Sequence, residues 1–370
     1  MSTPSETPVT PPAPRGEGPP APGRGLTRRG WTVLVGVVLT VAFLVVGLAV
    51  PIPYVSLGPG PTYDTLGEAQ DVQIVSVDGE QTYPTSGQLR MVTVSVNDEI
   101  TLFGALGLWI SGRYALAPRE EYFRPGETEE DIDKQNTKLF QDSQSNAEVA
   151  ALRYLGKYPM KVIAQEITSG APADKVLAPG DRLVRVNGKA VSTAADVRPA
   201  LAGTTPGQSV EIVFQHDGQE KTATVTLGRA ADFGAEDRAE GFLGLGPADR
   251  PDVPFKISIS LENVGGPSAG LMFSLAIVDR LTPGDLASDH VIAGTGEIDA
   301  DGNVGRIGGI PFKLVGAREA GVTTFLVPAD NCEEARSNVP DGLQLIKVAT
   351  LSDAVAQLDN LKAGRPTRGC

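Results

Sequence analysis

The chain has 370 residues, of which 41% are hydrophobic and 21% charged, and its formal net charge is −13. This length allows two or three compact domains. The acidic balance argues against a nucleic-acid partner, because phosphate binding needs a basic face. Only two histidines and two cysteines occur, without ligand spacing, so we expect no metal site and no bound cofactor.

The N-terminal sequence predicts a tail followed by a membrane-spanning helix. Residues 1–30 are rich in Pro, Gly, Ser and Thr, which predicts a disordered cytoplasmic tail. Residues 31–50 are apolar and long enough to cross a bilayer as a helix. Four arginines and two glutamates precede this span, and the positive-inside rule then exports the rest of the chain.

A cleaved signal peptide is the alternative, with Gly47-Leu48-Ala49 as a small-x-small cleavage site. We favour a retained anchor, because both the apolar run and the tail before it are long for a signal peptide. Removing the tail's net charge of +2 leaves −15 on the exported part.

Residues 51–157 combine Gly-Pro turns with alternating stretches, DVQIVSV and LRMVTVSV, that predict β-strands. A charged and then apolar stretch from Glu127 predicts a helix that ends at Gly156. We expect this extracytoplasmic segment to pack with the last domain, including its final helix TLSDAVAQLDNL, in one core.

Residues 158–228 predict a compact β-rich module. A strand over Val162–Ile167 is followed by a small-residue turn, by APGDRLVRVNGKAV with its Asn-Gly hairpin, by a helix over Ala194–Leu201 and by two strands. In this order the module resembles a bacterial PDZ domain. The resemblance implies a groove between that strand and that helix, where an extended peptide adds to the sheet. A module that only spaces two domains is the alternative.

The stretch NVGGPSAGLMFSLAIVDR places Ser268 in front of an apolar run, Leu271–Val278, that predicts a buried helix. GPSAG fits the nucleophile elbow of α/β-hydrolases, but His290 is the only histidine that follows. We interpret His290 as a surface or strand-end residue, which leaves an esterase that uses it as an alternative. A serine that merely caps the helix is another.

A lysine can replace histidine as the base if its ammonium loses its proton near neutral pH. Lys313 is expected in the first turn of a helix that begins at Pro311 and runs to Gly321. The helix dipole and apolar neighbours lower the pKa of a lysine there, as a general base requires.

Backbone N–H groups at the predicted helix start favour an oxyanion in front of the serine. Since Pro267 has no N–H, the candidate donors are Ser268 itself, Gly265 and Gly266.

Residues from about Val264 to Val327 resemble the proteolytic domain of the Lon protease family, and we expect this domain to extend over residues 240–360. GPSAG matches its nucleophile motif, and AGTGEIDADGNVGRIGGIPFKLVGAREAGVTTFLVP matches its second block, at a separation of 45 residues between the serine and the lysine. The resemblance implies that Ser268 is the nucleophile and Lys313 the general base of a Ser-Lys dyad. It also implies that Thr295 helps to orient the lysine and that Glu297 is the motif's glutamate. For Thr295 an ordinary strand threonine is the alternative.

Two departures from the ATP-dependent members of the family are visible. Gly265 stands where they have an aspartate, and the sequence contains no G-x-x-x-x-G-K-[ST] pattern for ATP binding. An apolar span, a PDZ module and a Lon-type domain in this order are similar to the ATP-independent, membrane-anchored Lon-like proteases of bacteria. We therefore expect an α+β protein with a single-pass anchor in the bacterial cytoplasmic membrane and with its PDZ and proteolytic domains outside.

The hypothesis is an ATP-independent serine endopeptidase that cleaves extended or unstructured segments of exported or membrane-bound proteins, captured by its PDZ domain. A catalytically inactive PDZ scaffold with a Lon-like fold is the alternative. The sequence leaves a homo-oligomer open. It also leaves open whether Cys332 and Cys370 form a disulfide, as an oxidising compartment would allow, or stay free.

Overall fold

The structure is a computed structural model that describes residues 27–123, 126–236, 238–262 and 264–370. The predicted tail therefore lies outside the described residues, except for 27–30.

The helices of the described residues are α1 (Arg28–Ala49), α2 (Leu102–Ile110), α3 (Glu129–Leu155), α4 (Val197–Ala200), α5 (Gly270–Leu281), α6 (Ile310–Glu319), α7 (Cys332–Arg336) and α8 (Leu351–Lys362). The strands of the first half are β1 (Tyr54–Asp64), β2 (Glu68–Ala69), β3 (Val72–Gln73), β4 (Val75–Asp78), β5 (Gln88–Asn97), β6 (Ala115–Pro118), β7 (Met160–Ile167), β8 (Arg182–Val186) and β9 (Lys189–Ala190). Those of the second half are β10 (Ser209–His216), β11 (Gln219–Thr226), β12 (Leu245–Pro251), β13 (Lys256–Ile259), β14 (Val291–Gly294), β15 (Glu297–Ile298), β16 (Val304–Gly305), β17 (Thr324–Pro328) and β18 (Gln344–Val348).

The larger unit is built on a six-stranded sheet, here called sheet A, with the order β18-β17-β14-β5-β1-β6. The first four strands are mutually parallel, whereas β1 runs antiparallel to both of its neighbours. Three strands from residues 54–118 thus share a sheet with three from residues 291–348, as one hydrogen-bonded ladder.

Both faces of sheet A are covered by helices. On one face, apolar side chains of α3, α5 and α8 pack against inward-facing sheet residues such as Leu89, Met91 and Leu326. On the other face, α6 and α7 pack on Ala293, Phe325 and neighbouring residues. Strands buried on both faces read as continuous apolar runs, as TFLVP in β17 does.

The smaller unit is built on sheet B, with the order β11-β10-β8-β7-β12 and the short β9 attached to β8. Its core includes Val162, Leu183, Ile212 and Phe214, together with side chains of the α4 region. The predicted helix over 194–201 is a 3₁₀ turn that continues into α4. The last strand, β12, comes from residues after the module that the sequence predicts.

The predicted helices of the larger unit are present with shifted ends. The helix expected up to Gly156 is α3, and Gly156 takes the left-handed conformation, with φ of 67°, that ends many helices. The final helix is α8, and the apolar run after Ser268 forms α5. Helix α5 is buried along its whole length, as expected where residues 271–278 are apolar apart from Ser274.

Helix α1 is long and apolar enough to cross a membrane, and no other helix of the described residues meets the same criteria of length and composition. Gly47 is its only buried residue, so α1 is not a core helix. A signal sequence has the same properties. The nine-residue apolar helix α2 was not expected from the sequence.

Cys332 and Cys370 are joined by a disulfide with a Cα–Cα distance of 5.2 Å. The bond ties the C-terminus to the start of α7, on the α6 side of sheet A. The last residues are also held by hydrogen bonds, since Arg368 O accepts from Lys347 N at 2.8 Å.

We expect reduction of this disulfide, or the Cys332→Ser/Cys370→Ser pair, to lower the stability of the sheet A unit by about 2–4 kcal/mol, because a loop closed across 38 residues loses its constraint on the unfolded chain. Urea unfolding of the full chain in detergent, with and without reductant, measures the loss. The double variant serves as control, since reductant should leave its unfolding curve unchanged. An equal midpoint for oxidised and reduced wild type would contradict the prediction.

Candidate active site

Ser268 lies two residues before the first residue of α5, and its backbone is held from two sides. Its carbonyl oxygen accepts hydrogen bonds from Gly296 N at 2.9 Å and from Thr295 Oγ1 at 3.0 Å. The preceding carbonyl, of Pro267, accepts from Ser143 Oγ of α3 at 2.9 Å. The N-cap residue of α5 is Ala269, without a side-chain cap, so the alternative that Ser268 caps the helix is wrong.

Lys313 reaches Ser268 from α6, which lies on the other face of sheet A from α5. It lies in the first turns of α6, with its side chain only 3% exposed. Its Nζ is 2.7 Å from Ser268 Oγ and 2.9 Å from Thr295 Oγ1. Gly309, which precedes α6 with φ of 70°, makes a left-handed turn that suits glycine and sets the direction of the helix.

Lys313 is almost completely buried, and this burial determines its protonation state. Burial lowers the pKa of Lys313 from 10.5 to about 7, while the negative charge of Glu297 acts in the opposite direction. A buried ammonium without a carboxylate in contact is destabilised relative to the neutral amine. Near pH 7 a substantial fraction of Lys313 is therefore neutral and has a lone pair to offer.

Thr295 fixes the direction of that lone pair. Its hydroxyl is fully buried and donates its proton to Ser268 O, so its oxygen accepts from an N–H of Lys313. With one N–H directed to Thr295, the neutral amine can accept the proton of Ser268 Oγ. The same threonine thus contacts both the backbone of Ser268 and the amine of Lys313.

The other candidate residues have different surroundings. Glu297 is exposed in β15 and paired with Gly305, and it acts on Lys313 through its charge. Gly266 has φ of +84°, and its N–H donates to Asn136 O at 3.0 Å. The expectation that Gly266 supplies an oxyanion donor is therefore wrong for this arrangement, because the proton is already taken.

Gly265 packs against α3. A Cβ added at Gly265 would lie 2.8 Å from Asn136 Cβ, closer than van der Waals contact allows, so any side chain would push this loop away from the helix. The small residue lets the loop before Ser268 lie directly on α3.

A cleft of about 1340 Å³ opens beside Gly265. Its walls come from the end of β1, from α3 and from the segment after β13, and its lining includes Tyr63, Arg90, Phe140 and Leu261. Its lining mixes polar and apolar side chains, and it is large enough for several residues of an extended chain. The lining of the cleft reaches Gly265, three residues before Ser268 in the sequence.

His290 takes no part in this site. It lies immediately before β14, and its carbonyl oxygen accepts from Gln88 N at 2.9 Å. Thr295 follows the other end of the same strand, and five residues of strand span about 16 Å. The structure thus brings Lys313, and not His290, to Ser268.

The edge of β7 that was expected to border the groove is occupied by the chain itself. Strand β12 pairs antiparallel along all of β7, from Leu245 opposite Ile167 to Pro251 opposite Met160. It also contacts the helix start, where Asp249 Oδ1 accepts from Ala194 N at 2.8 Å. The expectation that β7 borders the groove is therefore wrong. The space beside the helix is bounded by β12 instead, as a pocket of about 360 Å³ whose lining includes Val197, Leu201 and Leu245.

Asp249 is held from a second direction. Its other carboxylate oxygen is 2.9 Å from Arg153 Nη2, at the end of α3, and the Asp249 side chain is 8% exposed. Arg153 Nη1 also donates to Ala300 O at 2.8 Å, in the turn after β15. One arginine thus contacts both β12 and the hairpin that carries Glu297.

Comparison with known families assigns both units. Residues 262–359 match the Lon protease (S16) C-terminal proteolytic domain, and residues 133–227 match the PDZ domain. The second match begins within α3 and ends before β12.

Full-length relatives point to the same family. The chain is 34% identical over 177 residues to Lon protease 1 of Sorangium cellulosum, covering 46% of this chain and 21% of that protein. It is 28% identical over 190 residues to Lon protease 1 of Bacillus subtilis, covering 48% of this chain and 24% of that protein. The chain thus spans between a fifth and a quarter of the length of these curated relatives.

Among solved structures, the PDZ domain of an SdrC-like protein from Listeria monocytogenes aligns with 23% of this chain and 83% of its own, at 19% identity and a TM-score of 0.20. The second domain of Lin2157, also from Listeria, covers 29% of this chain and 91% of its own, at 19% identity and a TM-score of 0.19.

The buried amine gives stability a defined pH dependence. In the folded chain the pKa of Lys313 is about 7, below its ordinary value of 10.5, so between these values the unfolded state binds one more proton. Wild-type stability should therefore rise by about 1.4 kcal/mol per pH unit from about pH 7.5 to 9 relative to Lys313→Met, which lacks the group.

Urea unfolding of the full chain in detergent at several pH values measures this difference. The exposed Lys221, in β11, provides the control, since Lys221→Met should keep the wild-type slope. Parallel stability curves for wild type and Lys313→Met would contradict the lowered pKa.

Proposed function

We propose that this chain, which contains a PDZ domain and a Lon-type proteolytic domain, is a serine endopeptidase in which Ser268 is the nucleophile and Lys313 the general base. The observation that carries the proposal is the 2.7 Å contact between Ser268 Oγ and Lys313 Nζ. A hydroxyl beside an amine of lowered pKa is the arrangement that activates a serine without histidine.

In the proposed mechanism the neutral amine of Lys313 takes the proton of Ser268 Oγ, and the oxygen attacks the carbonyl carbon of a peptide bond. The resulting ammonium then protonates the leaving amine, which departs and leaves an acyl-enzyme. A water molecule, deprotonated by Lys313, attacks the ester carbonyl, and return of the proton to Ser268 Oγ releases the carboxylate product. Thr295 keeps the amine aligned throughout.

The oxyanion of the tetrahedral intermediate is assigned to the N–H of Ser268, at the N-terminal end of α5. Helix N-termini favour negative charge there. Gly266 is not used, because its N–H donates to Asn136 O.

The substrate class follows from the cleft and from the motifs of the chain. The cleft beside Gly265 suits an extended chain, and the 370 residues contain no G-x-x-x-x-G-K-[ST] pattern for an ATP-driven unfolding step. We therefore propose ATP-independent cleavage of unstructured segments, with folded proteins resistant.

For the location we propose a retained anchor, α1, with the N-terminus in the cytoplasm and both domains outside. The length and composition of α1 and the arginines before it support this topology. The Cys332–Cys370 disulfide adds support, because disulfides persist in oxidising compartments. Exported or membrane-bound proteins are then the accessible substrates.

The PDZ domain contributes capture of an extended segment by exchange with β12. The pairing of β12 with β7 is the geometry in which PDZ domains add a peptide strand. A substrate segment must therefore displace residues 245–251 to reach β7. Asp249 helps to hold them, through Ala194 N and Arg153.

The catalytic part of the proposal predicts that Ser268→Ala and Lys313→Ala each lower kcat/KM by about 10²–10⁴-fold, since each removes one partner of the proton transfer. Activity of the wild type should rise with pH through about 7, because the protonated amine cannot accept a proton. Hydrolysis of a fluorescently labelled unstructured polypeptide by the full chain in detergent measures both.

His290→Ala and Lys221→Ala are the matched controls and should keep wild-type rates. Loss of activity in His290→Ala together with wild-type activity in Lys313→Ala would favour the esterase alternative. Absence of turnover by the wild type with every unstructured substrate would favour the inactive scaffold.

The capture part predicts that Asp249→Asn tightens the binding of a labelled peptide with the sequence of residues 243–253 by about tenfold, equivalent to about 1.4 kcal/mol. The substitution weakens the strand that competes for β7, so a larger fraction of molecules can bind. Fluorescence anisotropy measures the Kd, with Asp217→Asn as control, since Asp217 is an exposed aspartate in the turn between β10 and β11. Equal Kd values for both variants would contradict exchange with β12.

A further inference from the structure

Helix α2 has an apolar surface that the protein does not cover. Its sequence is LFGALGLWI, and no charged residue occurs between Glu99 and Arg113. The side chains of Leu102, Leu106, Trp109 and Ile110 are 41%, 47%, 65% and 71% exposed. Contiguous apolar surface of this kind marks an interaction site.

The other side of α2 packs on the last turns of α1. Phe103 lies against Phe43 with ring centroids 5.5 Å apart in an edge-to-face arrangement. It also covers Gly47, where an added Cβ would lie 2.3 Å from the Phe103 ring. Gly47 is the only buried residue of α1, and Phe103 is what covers it.

We propose that the exposed face of α2, formed by Leu102, Leu106, Trp109 and Ile110, lies in the outer lipid surface of the membrane that α1 crosses. The inference rests on the proposed anchor. Lipid that surrounds α1 up to its end must also reach a helix that contacts its residues 43 and 47. A nine-residue helix is about 14 Å long, too short to span the bilayer, so it lies along the surface.

The chemistry of the neighbouring side chains fits the interfacial zone. Trp109 lies at the end of α2, and Tyr54, the first residue of β1, is 43% exposed. Tryptophan and tyrosine are enriched where the acyl chains meet the headgroups. The charged residues that flank α2 in sequence, Glu99 and Arg113, leave the apolar face itself uncharged.

The occupant is thus a lipid surface and not an incoming helix of a partner protein. A partner would have to bind beside α1, within the depth of the acyl chains, whereas lipid is present there without further assumption. Surface helices with one apolar face bind membranes in this way.

The test uses single-tryptophan versions of the full chain in vesicles of phosphatidylcholine and phosphatidylglycerol. Trp31→Phe leaves Trp109 as the only tryptophan. Lipid brominated near the headgroup end of its acyl chains should quench most of the Trp109 emission. Two probes in the Trp31→Phe/Trp109→Phe background serve as references: Leu39→Trp, in the middle of α1, and Val339→Trp, in the exposed loop before β18, at the sheet edge remote from β6.

The outcomes separate this inference from the anchor proposal. Quenching of Leu39→Trp by lipid brominated near the chain ends, together with quenching of Trp109 but not of Val339→Trp, supports the inference. Quenching of Leu39→Trp without quenching of Trp109 overturns it and leaves the anchor intact, as a second copy of the chain covering α2 would do. If Leu39→Trp is not quenched, the anchor fails and the inference fails with it.

A charge on the proposed face provides a second measurement. Leu106→Glu in the Trp31→Phe version should lose most of the Trp109 quenching, while cleavage of a soluble unstructured polypeptide stays at the wild-type rate. Leu139→Glu is the matched control, since Leu139 on α3 is 44% exposed, close to the 47% of Leu106. Undiminished quenching in the folded, active Leu106→Glu variant would overturn the proposal.

Discussion

The site depends on one interaction, the contact of a buried lysine amine with the hydroxyls of Ser268 and Thr295, which is unfavourable for the charged form of the amine. An ammonium in this position would lose most of its hydration without gaining a carboxylate in contact, and the lowered pKa of Lys313 expresses that cost. The surrounding elements meet in a way that maintains it. Helix α6 brings the amine, the loop before α5 brings Ser268, and the end of β14 brings the threonine that contacts both.

Helix α3 connects this site to the rest of the molecule. At Asn136 and Ser143 it holds the loop that carries Ser268, through Gly266 N and Pro267 O. Near its other end, Arg153 holds Asp249 of β12 and Ala300 of the hairpin next to Glu297. The strand that occupies the edge of β7 and the loop that carries Ser268 are thus both held by the same helix.

Much of this could be predicted from local sequence patterns. Ser268 and Lys313 stand in motifs whose residue types and spacing are specific, and the helices around them have ordinary periodicity and end signals. The pairing of distant strands could not be predicted in the same way. LGPADRP gives little strand signal, because two of its seven residues are proline, and β12 is a strand only because β7 offers it an unpaired edge.

Other features depended on contacts that no local pattern reports. From the sequence Gly266 is a candidate oxyanion donor, but its N–H donates to the carbonyl oxygen of Asn136, 130 positions earlier. Helix α2 is short and apolar throughout, so its sequence has no periodicity that separates a helix from a strand. Only its packing on α1 determines which side of α2 is covered and which side is exposed.

The register of sheet A fixes how far the Ser268 site lies from the start of β1. Gly294 of β14 lies opposite Met91, and Val92 lies opposite Thr62 of β1, so Thr295, the residue after Gly294, is level with Thr62. Tyr54, where β1 begins, lies eight positions before Thr62, and an extended chain covers about 27 Å over that length. With α1 in the membrane as proposed, a polypeptide held at the bilayer near Tyr54 needs about eight extended residues to bring a peptide bond to Ser268, so shorter projections remain out of reach.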